Sequence, residues 1–170
     1  MALVGAGLAG RRTSLSLVLS RHGRTGGERV FDNADRFGVF EGTPFVAFVA
    51  SLRSQYADPD APGISEELQR VLSSDGILFV VDSQRERVAA GIHQLERLRD
   101  DMTDAGASLD ERTVVFQLNK RDLANALPVA ELRELFQTVG CRYSESAASL
   151  GIGAAESFES LVALIAERSR

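Results

Sequence analysis

Two apolar runs constrain this chain more than anything else in it: Gly76-Ile77-Leu78-Phe79-Val80-Val81 and Thr113-Val114-Val115-Phe116-Gln117-Leu118. Neither alternates polar with apolar side chains in the way a half-exposed strand does. Such runs are the pattern of strands buried on both faces of a parallel sheet. Between them Val88, Ile92, Leu95, Leu98 and Met102 recur at helical spacing, and a helix is the usual crossover between parallel neighbours. The alternation extends along the chain. Ala2-Leu3-Val4 leads into a glycine loop, Gly5 to Gly10, and residues 12–22 predict a helix ended by His22-Gly23. Residues 36–41 and 44–50 predict a hairpin about Gly42-Thr43. Loops are expected over 23–29 and over 51–63, where Asp58-Pro59-Asp60-Ala61-Pro62-Gly63 is rich in turn residues, with a short helix over 64–73. Ser83 with Glu86 predicts a capping box, and Pro128 the first turn of a helix carrying Leu132, Leu135 and Phe136. A last short strand over 140–145 and a helix striped by Phe158, Leu161, Val162 and Ile165 complete the pattern. The expectation is one α/β domain over residues 1–170, with a parallel-rich sheet, helices on both faces and ligands at the carboxyl ends of the strands.

Composition narrows the function classes. Nineteen Lys and Arg stand against 24 Asp and Glu, a net charge of −5, which speaks against a basic nucleic-acid-binding face. Cys141 is the single cysteine, so an internal disulfide framework and a cysteine-based zinc site are excluded. His22 and His93 make no metal or catalytic pair, and Arg85-Glu86-Arg87 reads as a charged helix face with local ion pairs. No apolar run reaches about 18 residues, and Met1 is not followed by a basic stretch and long apolar segment. A cytoplasmic domain is expected.

Two motifs carry chemistry. Gly5-Ala6-Gly7-Leu8-Ala9-Gly10 follows a strand and opens a helix, which satisfies the dinucleotide fingerprint G-x-G-x-x-G, with Glu28 or Asp32 as its ribose acid. The same glycines fit half of the phosphate-binding loop G-x-x-x-x-G-K-[ST], with Arg11 at the lysine position and Arg12 at the hydroxyl position. Either way, glycines let backbone N–H groups approach a phosphate at a helix N-terminus. The second motif, Asn119-Lys120-Arg121-Asp122, stands at the carboxyl end of the strand 113–118. N-K-x-D recognises guanine: an Asp carboxylate accepts from the ring N–H and the exocyclic amine, a donor pair that adenine lacks. In the Ras-like GTPases that this motif resembles, the lysine stem can lie over the base plane and the Asn ties this loop to the phosphate loop. Ser144-Glu145-Ser146-Ala147-Ala148, after the last strand, matches the Ser-Ala loop whose backbone N–H meets the guanine O6.

These residues resemble one family. Gly76 to Gln84, Glu86-Arg87, Gln117 to Pro128 and Glu131-Leu132 are similar to the bacterial Ras-like small GTPases of the MglA, or gliding-motility and cell-polarity, type. The likeness runs from about Asp75 onwards; before it, Gly5 to Leu15 resembles the family's phosphate loop, and Val30-Phe31-Asp32 the segment before its first switch. The resemblance implies a six-stranded, mostly parallel Ras-like sheet, GTP or GDP and Mg²⁺ as ligands, and a roadblock-fold, MglB-type regulator as partner. It implies nucleotide contacts from Gly5, Gly10, Arg11, Arg12, Thr13, Asn119, Lys120, Asp122, Ser146 and Ala147.

The departures are equally specific. Arg11 replaces a compact ammonium with a planar fork, and Arg12 replaces the hydroxyl that ligates Mg²⁺. Thr13 offers a hydroxyl about 100° further round the helix. The second-switch run Thr-x-Pro-Gly-Gln is absent: Val49-Ala50-Ser51-Leu52-Arg53 aligns there. Leu52 then stands for the glycine at the γ-phosphate, and Arg53 for the glutamine that orients water. Gln55, two residues on, is a candidate replacement for that glutamine; the first-switch threonine has no clear counterpart, Thr43 being a candidate only if the alignment slips. A strand of three residues before Gly5 is short against about five or six, which implies a truncated start or a weakened central strand. The expected function is a pseudo-GTPase regulator or scaffold that keeps its guanine motif, has a doubtful Mg²⁺ site and has impaired hydrolysis. A working GTPase switch and a flavin or nicotinamide binder are the alternatives.

Overall fold

The computed structural model describes residues 1–22, 36–40, 43–50, 64–137 and 140–169. Among these residues six strands and five α-helices follow one another: β1 Ala2–Val4, α1 Arg11–His22, β2 Arg36–Phe40, β3 Thr43–Val49, α2 Glu66–Leu72, β4 Gly76–Asp82, α3 Val88–Asp104, β5 Thr113–Asn119, α4 Val129–Phe136, β6 Arg142–Glu145 and α5 Ala154–Arg168. The strand order is β2-β3-β1-β4-β5-β6. Only β2 runs antiparallel, paired with β3. This is the Ras-like arrangement, and it differs from the all-parallel 3-2-1-4-5-6 order of dinucleotide-binding sheets.

The two apolar runs become β4 and β5, buried along their whole length and paired in register from Gly76–Thr113 to Asp82–Asn119. That register sets the carboxyl ends of both strands side by side. Successive side chains alternate between two cores. Ile77, Phe79, Val81, Val114, Phe116 and Leu118 pack under α2, α3 and α4; Leu3, Leu78, Val80 and Val115 pack under α1 and α5. Phe116 is the hub of the first core, with ring centroids 5.3 Å from Phe79, 6.0 Å from Phe136 and 5.3 Å from Tyr143. Short as it is, β1 is fully buried and paired on both sides, to β3 and to β4.

Several local expectations are corrected. The capping box does not form: α3 begins at Val88, with Arg87 rather than Ser83 at its cap. Ser83 is buried and its hydroxyl has no partner among the described residues. Its backbone is occupied instead, donating to the Asn119 carbonyl and accepting from Leu127 N–H. Arg85-Glu86-Arg87 therefore lies in a turn rather than on a helix face. Pro128 caps α4 from outside, and Leu135 is 41% exposed beside the buried Leu132 and Phe136. Thr43 starts β3, opposite Phe40, rather than sitting in the turn. Cys141 is half-buried against the first core. The loop readings over 23–29 and 51–63, and Glu28, Asp32, Leu52, Arg53 and Gln55 with them, lie outside the described residues. No helix among the described residues is long and apolar enough to cross a membrane.

Candidate functional site

The loop Gly5–Gly10 links the carboxyl end of β1 to α1, and two of its glycines are dictated by close approach. At Gly5, with φ +146°, a Cβ would meet the Val80 carbonyl oxygen at 2.2 Å. At Gly10, with φ +102°, it would meet Asn119 Nδ2 at 2.3 Å. No side chain fits at either distance. Gly7 faces open space, and Leu8 takes a left-handed φ of 66° with 81% of its surface exposed.

Helix α1 then opens on two arginines and carries no acid in its first turn. This is the positive end of the helix dipole, where cations are disfavoured and anions stabilised. The Arg11 guanidinium is partly buried and donates to the Ala50 carbonyl just beyond β3. Burial pushes its pKa down; the neighbouring Arg12 charge adds to this and Glu67 opposes it. Arg12 and Thr13 are exposed. Ser14, one residue further, is fully buried, and its hydroxyl accepts from Gln117 Nε2 at 2.8 Å.

The second motif is built at the carboxyl end of β5, one strand beyond β4 from the glycine loop. Asn119 is 3% exposed and engaged at both ends of its amide. Its Nδ2 donates to the Ala9 carbonyl at 2.8 Å; its Oδ1 accepts from Ser146 Oγ and from Ala148 N–H, each at 3.0 Å. One side chain thus joins the glycine loop to the 146–153 loop. Ser146 is buried and also accepts from Gln117 Nε2 at 2.9 Å. The Ala147 N–H is taken by the Ile152 carbonyl at 2.9 Å, and the Ala148 N–H by Asn119 Oδ1. Lys120 has a left-handed φ of 63°, and its Nζ donates to Asp82 Oδ2 at 2.6 Å and Gln84 Oε1 at 3.3 Å. Asp122 is exposed, with Ser149 Oγ at 3.4 Å.

The expected residues therefore gather at the carboxyl ends of β1, β4 and β5. Sequence reasoning missed Ser14, Asp82, Arg87 and Gln117. One signal was available for the pairing of Lys120: it is the only lysine among nineteen basic residues, so the ammonium was singled out by composition alone.

No protein-family model matches the chain. It is similar to the mutual gliding-motility protein MglA of Myxococcus xanthus (strain DK1622), with 28% identity over 169 residues, covering 95% of this chain and 87% of that protein. The likeness thus reaches through the amino-terminal half as well as the segment after Asp75. The strand order and the two motifs, at the carboxyl ends of β1 and β5 with β4 between them, agree with this similarity to an MglA protein.

Proposed function

We propose that the chain is a guanine-nucleotide-recognising regulator or scaffold of the Ras-like fold whose hydrolytic machinery is impaired. The observation that carries this reading is Asn119, whose bond to the Ala9 carbonyl holds the base motif against the phosphate loop while two more hold it to the 146–153 loop. A nucleotide needs both at once. Asp122, exposed and with only a long contact, is available to accept from guanine's two donors. Gly5 and Gly10 make a cradle that any Cβ would fill, and the two arginines opening α1, with no acid in its first turn, favour an anion.

The residues fit Mg²⁺ poorly. A guanidinium cannot ligate a cation, and Arg12 stands where the family has its ligating hydroxyl. With Leu52 and Arg53 at the second switch, the supports for metal, γ-phosphate and attacking water are altered together. A domain of this kind acts through what it binds. Leu8, Leu150 and Ile152 are 81%, 62% and 60% exposed, on the two loops that Asn119 joins. Large apolar side chains exposed at a functional rim suit a protein partner. The family resemblance suggests a roadblock-fold regulator for that role.

The test is the ligand carried by protein purified without added nucleotide and then denatured, together with titration of a fluorescent GDP analogue with and without EDTA. Guanine nucleotide, or GDP binding that chelation weakens less than tenfold, is expected. A released flavin or nicotinamide, or no binding of GDP at all, would overturn the reading. A hundredfold loss on chelation would restore an intact metal site and the working-switch alternative.

A further inference from the structure

We propose that Arg87 is a positioning residue that straps the phosphate loop to the guanine loop through a carboxylate, Asp82, that serves both. The proposal deepens the guanine-nucleotide reading above and rests on it. Asp82 ends β4 directly opposite Asn119, and its side chain is 2% exposed. A carboxylate so buried is costly without a cation and hydrogen bonds. Two loops supply them. Lys120 Nζ, from the guanine motif, lies 2.6 Å from Oδ2, and the Gln84 N–H donates to Oδ1 at 3.2 Å. Arg87 Nε stands 4.0 Å from the same Oδ2, while its Nη2 donates to the Gly7 carbonyl at 3.0 Å, eighty residues back in the chain.

The geometry uses what distinguishes arginine. A rigid fork addresses an anion on one edge and a carbonyl on the other; an ammonium on a flexible stem serves one point. Arg87 is free to do this because its side chain makes no capping bond at α3. The glycine loop needs such a hold. Asn119 anchors it at Ala9, but Gly7 faces open space and Leu8 next to it is exposed in a left-handed conformation. Arg87 fixes the Gly7 peptide, and with it the direction of the N–H groups offered to a phosphate. The base is held by other groups, so Arg87 acts on the phosphate share of affinity and not on the base share.

GDP and guanosine separate the two shares. Both are titrated calorimetrically into the full chain, its Arg87→Ala variant and its Arg87→Lys variant. Arg87→Ala is expected to weaken GDP about tenfold, the scale of one charge-assisted hydrogen bond, and to leave guanosine unchanged. Arg87→Lys is expected to recover only part of the loss. Equal losses for GDP and guanosine, or no loss for either, would overturn the strap. Should the unmodified chain bind neither ligand, the guanine reading fails and the strap is judged on hydrogen exchange alone. Residues 5–10 should then exchange several-fold faster in Arg87→Ala than in the unmodified chain, and equal rates would overturn it.

Discussion

Removing the Asn119 amide should unfasten the site from within, with no ligand present. Asn119→Ala deletes three hydrogen bonds in a position 3% exposed. At about 1 kcal/mol each, their loss costs about 3 kcal/mol, and the Ala9 carbonyl and Ala148 N–H left behind add further cost. That is a large share of the stability of a domain this size. Gly10→Ala attacks the same junction from the other side, because its Cβ would sit 2.3 Å from Asn119 Nδ2. Alone it should cost about 2 kcal/mol or more, from the clash and from a non-glycine residue at φ +102°. In the Asn119→Ala background the clash has no target, so the cycle should show a coupling of about 1 kcal/mol or more. Urea unfolding of nucleotide-free protein measures all four corners. A loss below about 1 kcal/mol for Asn119→Ala, or strict additivity in the cycle, would show that the two loops are not joined as described.

Three further outcomes follow from the same geometry. Asp122→Ala should abolish any preference for GDP over ADP, since sites built on paired hydrogen bonds discriminate by up to about 10⁴; equal binding of the two by the unmodified chain would remove the basis for guanine recognition. Arg11→Lys with Arg12→Thr should improve nucleotide affinity more than turnover, because Leu52 and Arg53 remain; a parallel gain in both would place the defect in the phosphate loop alone. Burial, partly offset by Arg97, pushes the Asp101 carboxyl above its usual range. A raised folded-state pKa means stability present at low pH and lost as pH rises through the carboxyl range. Asp101→Asn should therefore stabilise the fold near pH ~7 and lose that advantage near pH ~3, as read from Tm at both.

The fold was legible where burial is symmetrical. Runs such as 76–81 and 113–118 have one reading once helical spacing appears between them, and the hairpin of β2 and β3 and the α5 stripe follow from local periodicity. The site was legible where chemistry is concentrated in a few adjacent residues, as at Asn119–Asp122 and Gly5–Gly10. It was not legible where partners are distant in the chain and set by register. Asp82 looks like the end of an apolar strand until β4 and β5 are aligned, and Arg87 looks like a surface charge until Gly7 lies 3.0 Å away. Ser83 and Glu86 satisfied a capping pattern, but tertiary bonds from Asn119 and Leu127 took the Ser83 backbone and delayed α3 to Val88. Local sequence favoured the cap, and the sheet overruled it.

Multiple-turnover phosphate release from GTP, followed over hours with Mg²⁺ present, tests the central claim most directly. Even an intact Ras hydrolyses GTP at only about 10⁻⁴ per second and needs a glutamine-positioned water. In the proposed alignment Arg53 takes that position; an arginine there can stabilise transition-state charge, yet it cannot aim a water as a neutral donor and acceptor does. The isolated chain is expected to bind guanine nucleotide and release no phosphate above the blank. Steady release that disappears in Asp122→Ala would contradict the account and make the protein a working GTPase.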